Sequence, residues 1–396
     1  MRPMSLRRQP GFSLVELMIA VAIGMMALAL AVRTVASSEK SRATELGGSD
    51  SMQNGMVALF SMSGDAAQAG FSLNDSILSG CNTLLTDTSG YALTAPTGDA
   101  NVTPLAPVVI KSNGSAPDEV SFYSGSSSAG TGSLRVTADY ANGIRIVVDR
   151  PPYGFNQGDV LVVAPDKPGG RCALAQMSNK PTDVVAPPAT QYVNVAQGSA
   201  YRFNTGNLGV AFTASMARVF NLGRADSLAF HTWSVKDGFL RLRSTDLRGA
   251  SRTPATVADN IVSIKAQYGF DTRPGDTYKP QTGVQVMRWS STMISADGDA
   301  TVGNGADYQH VVAVRLAVVA RSKQIERASA GGACTATTDK PQVFATQAPK
   351  GVDAVPVTVD VAVAGDTNDW RCYRYRVFET VVNLRNAGWR PEAWTN

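Results

Sequence analysis

From Phe12 to Val32 the chain reads FSLVELMIAVAIGMMALALAV, apolar or small at every position except Glu16. At about 1.5 Å per residue such a run covers about 30 Å as a helix, the thickness of a bilayer's hydrocarbon core. The pattern therefore predicts an apolar helix over 12–33 that continues into polar sequence at Arg33. From 34 to 70 the apolar positions change character. Met52, Met56, Leu59, Phe60 and Ala67 recur at three- or four-residue spacing, which predicts an amphipathic helix with one stripe packed on a globular body. Gly47, Gly48 and Gly55 are weak points in that helix, and a stop is expected near Ala69-Gly70-Phe71, where glycine can supply the end.

Beyond residue 71 the period shortens to that of strands. Gly143–Val148 and Asp159–Val163 are short β-type runs set apart by Pro151-Pro152 and Gly158. Ser227–Val235 and Phe239–Arg243 flank Asp237-Gly238, a strong hairpin signal. In His310–Arg321, Val312, Val314, Leu316, Val318 and Ala320 form one apolar face, and Arg315 and Arg321 are expected on a wet one. In the last long run, Tyr373–Asn386, the apolar phase slips to Phe378, Val382 and Leu384. That slip suggests a bulge or burial on both faces. Ser124–Ser133 and Pro181–Pro188 read as connectors.

Composition supports this picture. The 396 residues are 44% hydrophobic and only 17% charged, with 36 Gly and 20 Pro, as suits a turn-rich β body. The formal net charge is +4 and falls to +1 without Arg2, Arg7 and Arg8, so no strong pull toward nucleic acid is expected. Those three arginines precede the apolar run, with no acid among them. They should hold the N-terminus in the cytoplasm and place the body on the other side of the membrane. Cys81, Cys172, Cys334 and Cys372 contain no C-x-x-C pair, which argues against structural zinc. An even number outside the membrane fits two disulfides in an oxidising space. Of three pairings, Cys81–Cys172 with Cys334–Cys372 is favoured by proximity in sequence; four buried thiols are the alternative.

Glu16 is the anomaly. A charged acid at membrane depth costs about 2.5–3.5 kcal/mol and so needs a partner or a function. Cleavage between Gly11 and Phe12 would create a partner, because the new α-amino group is a cation. Glu16, four residues along and about 6 Å up the axis, could neutralise that amine on a helix staggered by one turn. The alternative is a carboxylate snorkelling to the nearby headgroups. A secretory signal fits poorly, since polar sequence beginning at Arg33 stands where a small-residue cleavage site belongs.

Gly11-Phe12-Ser13-Leu14-Val15-Glu16, behind a basic leader, resembles the type III signal of type IV prepilins and type II secretion pseudopilins. The body carries further resemblances to PilW-type minor pilins: GDAAQAGF (Gly64–Phe71), GDVLVVAP (Gly158–Pro165) and VADNIVSIKAQYGFDT (Val257–Thr272). VVAVRLAVVARS (Val311–Ser322) and YRYRVFETVVNLRNAGWR (Tyr373–Arg390) complete the series in the family's order. The resemblance implies cleavage by a prepilin peptidase after Gly11, N-methylation of Phe12 and registration by Glu16. It also implies an α+β fold, a long pilin helix on a large antiparallel β-sheet body. The segments would be a leader (1–11), a membrane and assembly helix (12–33), its amphipathic continuation (34–70) and a periplasmic body (71–396). The implied role is a minor pilin that primes assembly at the pilus tip. Its partners would be other minor pilins, the major pilin and a tip adhesin, with the inner membrane as its site before assembly. A J-type minor pseudopilin of type II secretion and a filament-borne adhesin or DNA-uptake receptor are the rival readings.

No enzyme motif emerges. His231 and His310 lie in or beside predicted strands, outside any metal spacing, and no nucleophile elbow, Walker loop or dinucleotide fingerprint is present. No cofactor is expected. The Asp297–Asp307 loop offers oxygen ligands, but Val302 stands where an EF-hand has glycine and the terminal Glu is missing, so a solvated turn is expected. Arg371, Arg374, Arg376, Arg385 and Arg390 are read as the wet face of a sheet.

Overall fold

The computed structural model describes residues 13–126, 132–167, 170–181, 190–326 and 332–386. Gly11, Phe12, Arg390 and most of the Pro181–Pro188 connector lie outside the described residues. The chain divides into two compact units, Met1–Asp50 and Ser51–Asn396. The described part of the first belongs almost wholly to α1, a helix running Leu14–Gln68 and uninterrupted at Gly47, Gly48 and Gly55.

In the second unit α1 ends as expected. Gly70 adopts φ +82°, a left-handed conformation that glycine reaches without steric penalty, and its N–H donates to the Tyr123 carbonyl at 2.8 Å. Three larger sheets follow, beside two two-stranded ones, among the described residues. The first runs, in spatial order, Pro104–Leu105, Cys81–Leu84, Arg171–Gln176, Asp159–Pro165, Ala217–Arg224 and Ser133–Arg135; only the Cys81–Leu84 and Arg171–Gln176 pairing is parallel. The second runs Ala255–Asp259, Phe239–Ser244, Ala229–Lys236, Ala116–Ser124 and Val108–Asn113. The third runs Arg288–Ser290, Ile261–Phe270, Val311–Arg321 and Tyr375–Asn383, antiparallel throughout. A terminal helical stretch followed by a mostly antiparallel body makes the fold α+β.

The predicted hairpin is present. Asp237 and Gly238 both take positive φ (55° and 78°), the geometry a two-residue turn needs to match the strands' twist. The strands beginning at Asp159 and Val311 are apolar almost end to end because both of their faces are covered. One core joins α1 (Ala58, Met62, Ala66) and the adjoining Ala69 to the second and third sheets through Phe122, Trp233, Ile264 and Leu316. A second lies between the first and second sheets, around Tyr123, Phe230, Val162 and Leu174.

Two expectations are corrected, and a third that left two alternatives open is decided. Met52, Met56 and Phe60 do not pack on the body; all three are exposed, Phe60 at 79%. The buried side of α1 is Ser51, Gly55, Ala58, Met62 and Ala66, mostly small residues that let the helix backbone approach the sheets closely. Arg315 is not on a wet face, being only 2% exposed. The segment carrying Val343, Phe344, Val359 and Val361 covers that side of the third sheet, and Arg315 donates to Thr346 O and to Glu379 at 2.8 Å. Arg321 is covered too, paired with Asp366 at 2.6 Å and lying over the Tyr373 ring. Finally, the last strand has no bulge. Its register runs unbroken from Ala313↔Asn383 to Arg321↔Tyr375. Phe378 and Val382 pack, half-buried, against the helix-side core and Tyr375 against the opposite cluster, so partial packing on both faces accounts for the apolar phase, while Val377 and Val381 stay exposed.

Candidate assembly site

Glu16 occupies the first turn of α1, where a carboxylate complements the helix's unpaired N–H groups. Around it Leu14, Val15, Leu17, Met18 and Ile19 are all exposed. Leu14–Ala36 is long and apolar enough to cross a membrane. An exposed apolar helix of this length has two physical homes, lipid or other helices.

Within the second unit, three polar fastenings and one close packing contact hold residues 51–68 of α1. Asn54 Nδ2 donates to Asp259 Oδ1 at 2.5 Å. Asp65 Oδ2 lies 2.8 Å from His231 Nδ1 and accepts from Trp233 Nε1 at 2.7 Å. Asn386 Nδ2 donates to the carbonyls of Gln68 (3.3 Å) and Ala69 (2.8 Å), serving the unpaired C-terminal end of the helix. Between these, Gly55 faces the ring of Phe378, and a Cβ there would stand 2.2 Å from Cε2.

His231 is the chemically distinctive member. Its Nε2 lies 2.9 Å from Asp246 Oδ1, so a carboxylate stands at each ring nitrogen. Burial disfavours the charged imidazolium, but hydrogen bonds and charge from Asp246 and Asp65 outweigh it and raise its pKa to about 10. Asp246 is held down at about 2: burial pushes it up, and His231 and Ser244 pull it lower. The sequence reading assigned His231 a structural place in a strand; its two acids, 166 and 15 residues away, carried no local signal.

A second buried pair joins the second and third sheets. Lys265 and Asp118 form an ion pair with side chains 1% and 0% exposed. The ammonium also donates to the carbonyls of Gly114 (2.7 Å) and Ala116 (3.0 Å), which uses all three of its protons. Asp118 accepts from the N–H groups of Asn113 and Ala266 as well. The one readable signal was a lone lysine in the apolar run Ile261–Phe270.

The four cysteines form two disulfides, Cys81–Cys172 and Cys334–Cys372. Asp307 in the acidic loop is occupied by its own backbone. One oxygen accepts from the N–H groups of Ala296 and Asp297, the other from those of Gly303 and Asn304. With Asn304 it closes a capping box on a short helix, Gly305–Gln309. A cation there would have to displace those donors. Among the described residues no group of three or more His, Cys, Asp or Glu could hold a metal ion.

An apolar N-terminal helix with an early acid, continued by a stretch fastened to an antiparallel β body, defines a type IV pilin-like protein. Residues 6–32 match the family model described as the prokaryotic N-terminal methylation motif, and residues 231–386 match the one described as Type IV Pilus-assembly protein W. Together the two matches support a PilW-type type IV minor pilin. No curated protein and no solved structure matches it.

Proposed function

We propose that this minor pilin is cut after Gly11 by a prepilin peptidase, N-methylated on Phe12, and drawn from the inner membrane into a minor-pilin complex that primes the pilus and sits at its tip. The carrying observation is the joint presence of the methylation motif over 6–32, an apolar span over Leu14–Ala36 and the PilW match over 231–386. In this reading Glu16 neutralises the α-amine of Phe12 on a neighbouring helix, which sets the stagger between subunits. A body of more than 300 residues is bulky for a repeating shaft subunit, which favours a terminal place. Its partners are other minor pilins and the major pilin, and at the tip an adhesin. The body, cross-linked by two disulfides, lies in the periplasm before assembly.

The test has two arms. Mass spectrometry of native material should find a methylated Phe12 as the first residue; an intact Gly11–Phe12 bond would overturn the processing step. Glu16→Ala should leave cleavage unchanged but reduce recovery in sheared filaments at least tenfold. Undiminished recovery would remove the registration role.

A further inference from the structure

Asparagine, any residue but proline, then serine or threonine is the pattern that accepts a sugar on its side-chain amide. It occurs at Asn74-Asp75-Ser76, Asn101-Val102-Thr103 and Asn113-Gly114-Ser115. The structure separates the three. Asn74 is half-buried. Asn113 is exposed, but its amide donates to the Pro117 carbonyl at 2.8 Å and its backbone N–H to Asp118 at 2.9 Å, tying it into the turn between two strands. Asn101 is exposed, and its side-chain amide has no hydrogen-bond partner among the described residues.

The ground around Asn101 suits a bulky polar group. Asp99 Oδ1 accepts the Asn101 N–H at 2.8 Å, a side-chain turn that shapes the backbone just before the acceptor. Asp99 and Ala100 are exposed too, and a Cβ added at Gly98 would meet nothing within 4 Å. A glycan there displaces no packed side chain and stays in water. Asp99 also sets this asparagine apart from the other two. It puts a carboxylate two residues before the acceptor, where Asn74 has Ser72 and Asn113 has Lys111. A transferase with a cationic groove gains a charge-assisted contact only here.

We infer that Asn101 is an N-glycosylation site, taking an oligosaccharide from a lipid-pyrophosphate carrier, with Asp99 and Thr103 as the residues by which the transferase selects it. Nδ2 of Asn101 bonds to the anomeric carbon of the first sugar as that carbon's bond to the pyrophosphate oxygen breaks. The lipid pyrophosphate leaves with the electron pair, and the amide gives up one proton to solvent. In the folded body the Thr103 hydroxyl is engaged, donating to the Thr83 carbonyl at 2.8 Å, and its N–H donates to Asn82 Oδ1 at 3.1 Å. Transfer therefore precedes the docking of Thr103 on the strand Cys81–Leu84. The inference rests on the proposed periplasmic place of the body and adds to it a covalent modification.

Mass spectrometry of full-length native material from its own membranes tests this. Peptides spanning 97–105 should carry an oligosaccharide on Asn101 that releases sugar fragment ions, with Asn74 and Asn113 bare. Asn101→Gln should remove the added mass. Thr103→Val should lower occupancy at least tenfold, Thr103→Ser should restore it, and Asp99→Asn should lower it at least fivefold. A bare Asn101 overturns the inference, as does equal occupancy at Asn74 or Asn113. Occupancy unchanged in Asp99→Asn or Thr103→Val overturns the selection. The same preparation is scored at its N-terminus. Bare Asn101 on chains that begin at Phe12 fails the sugar site while the assembly reading stands, and sugar on chains with Gly11–Phe12 intact does the reverse.

Discussion

His231 Nδ1 and Asp65 Oδ2 lie 2.8 Å apart, and this contact ties the end of α1 to the strand Ala229–Lys236. The same Asp65 oxygen accepts from Trp233 Nε1, and Asp246 holds the other side of the imidazole. The helix is thus fastened to the second sheet by a charged histidine between two acids.

The raised pKa makes stability depend on alkaline pH. The folded protein keeps on His231 a proton that the unfolded chain releases between about 6.5 and about 10. The contribution is full below 6.5 and falls by about 1.4 kcal/mol per pH unit through that window. Asp246 works in the opposite sense: its contribution is full above 3.8 and is lost as the pH falls toward 2. Denaturant unfolding from pH 6 to 10 should show the alkaline decline in the wild type and a smaller one in His231→Gln. Equal slopes in the two proteins would refute the assignment.

Lys265→Met should destabilise the body by about 3–5 kcal/mol, because it strands Asp118 in the interior. Burial already raises the pKa of Asp118 against the pull of Lys265, so the variant should be more stable with Asp118 protonated than with it ionised. Adding Asp118→Asn should restore part of the loss, since the amide oxygen still accepts from Asn113 or Ala266. A double variant no more stable than Lys265→Met would argue against a charge penalty.

Gly55→Ala should destabilise by about 1–3 kcal/mol despite alanine's better helix propensity, because its methyl would meet the Phe378 ring. Phe378→Leu in the same chain should recover part of that loss. A double-mutant cycle with no coupling would show that helix and last strand are not in the stated contact.

The two disulfides should differ in worth. In the chain-entropy account, closing 91 residues between Cys81 and Cys172 contributes about 5 kcal/mol and closing 38 between Cys334 and Cys372 about 4. Paired Cys→Ala substitutions followed by unfolding should rank the losses in that order, and non-reducing peptide maps should show both pairs.

Much of this molecule is written in local sequence. The apolar span, the glycine stop at Gly70 and the Asp237-Gly238 hairpin each follow from a few adjacent residues whose conformational limits are their own. The face chosen by an amphipathic helix does not. Met52, Met56 and Phe60 satisfied the periodicity, yet Gly55, Ala58, Met62 and Ala66 face inward, and at Gly55 the Phe378 ring leaves no room for a side chain. Arg315 likewise kept the alternation of a half-wet strand while the segment around Phe344 and Val361, distant in sequence, lay over it.

By itself the sequence determined that an oily helix with an acid near its start leads into an antiparallel body, since hydrophobic period and turn chemistry act over a few residues. Only the tertiary structure decided which side of that helix meets the body, which charges are buried and which acids clasp His231. Those outcomes depend on surfaces brought together from segments up to 318 residues apart, as Asn386 and Gln68 are. Burial and pairing at such range are properties of the packed whole.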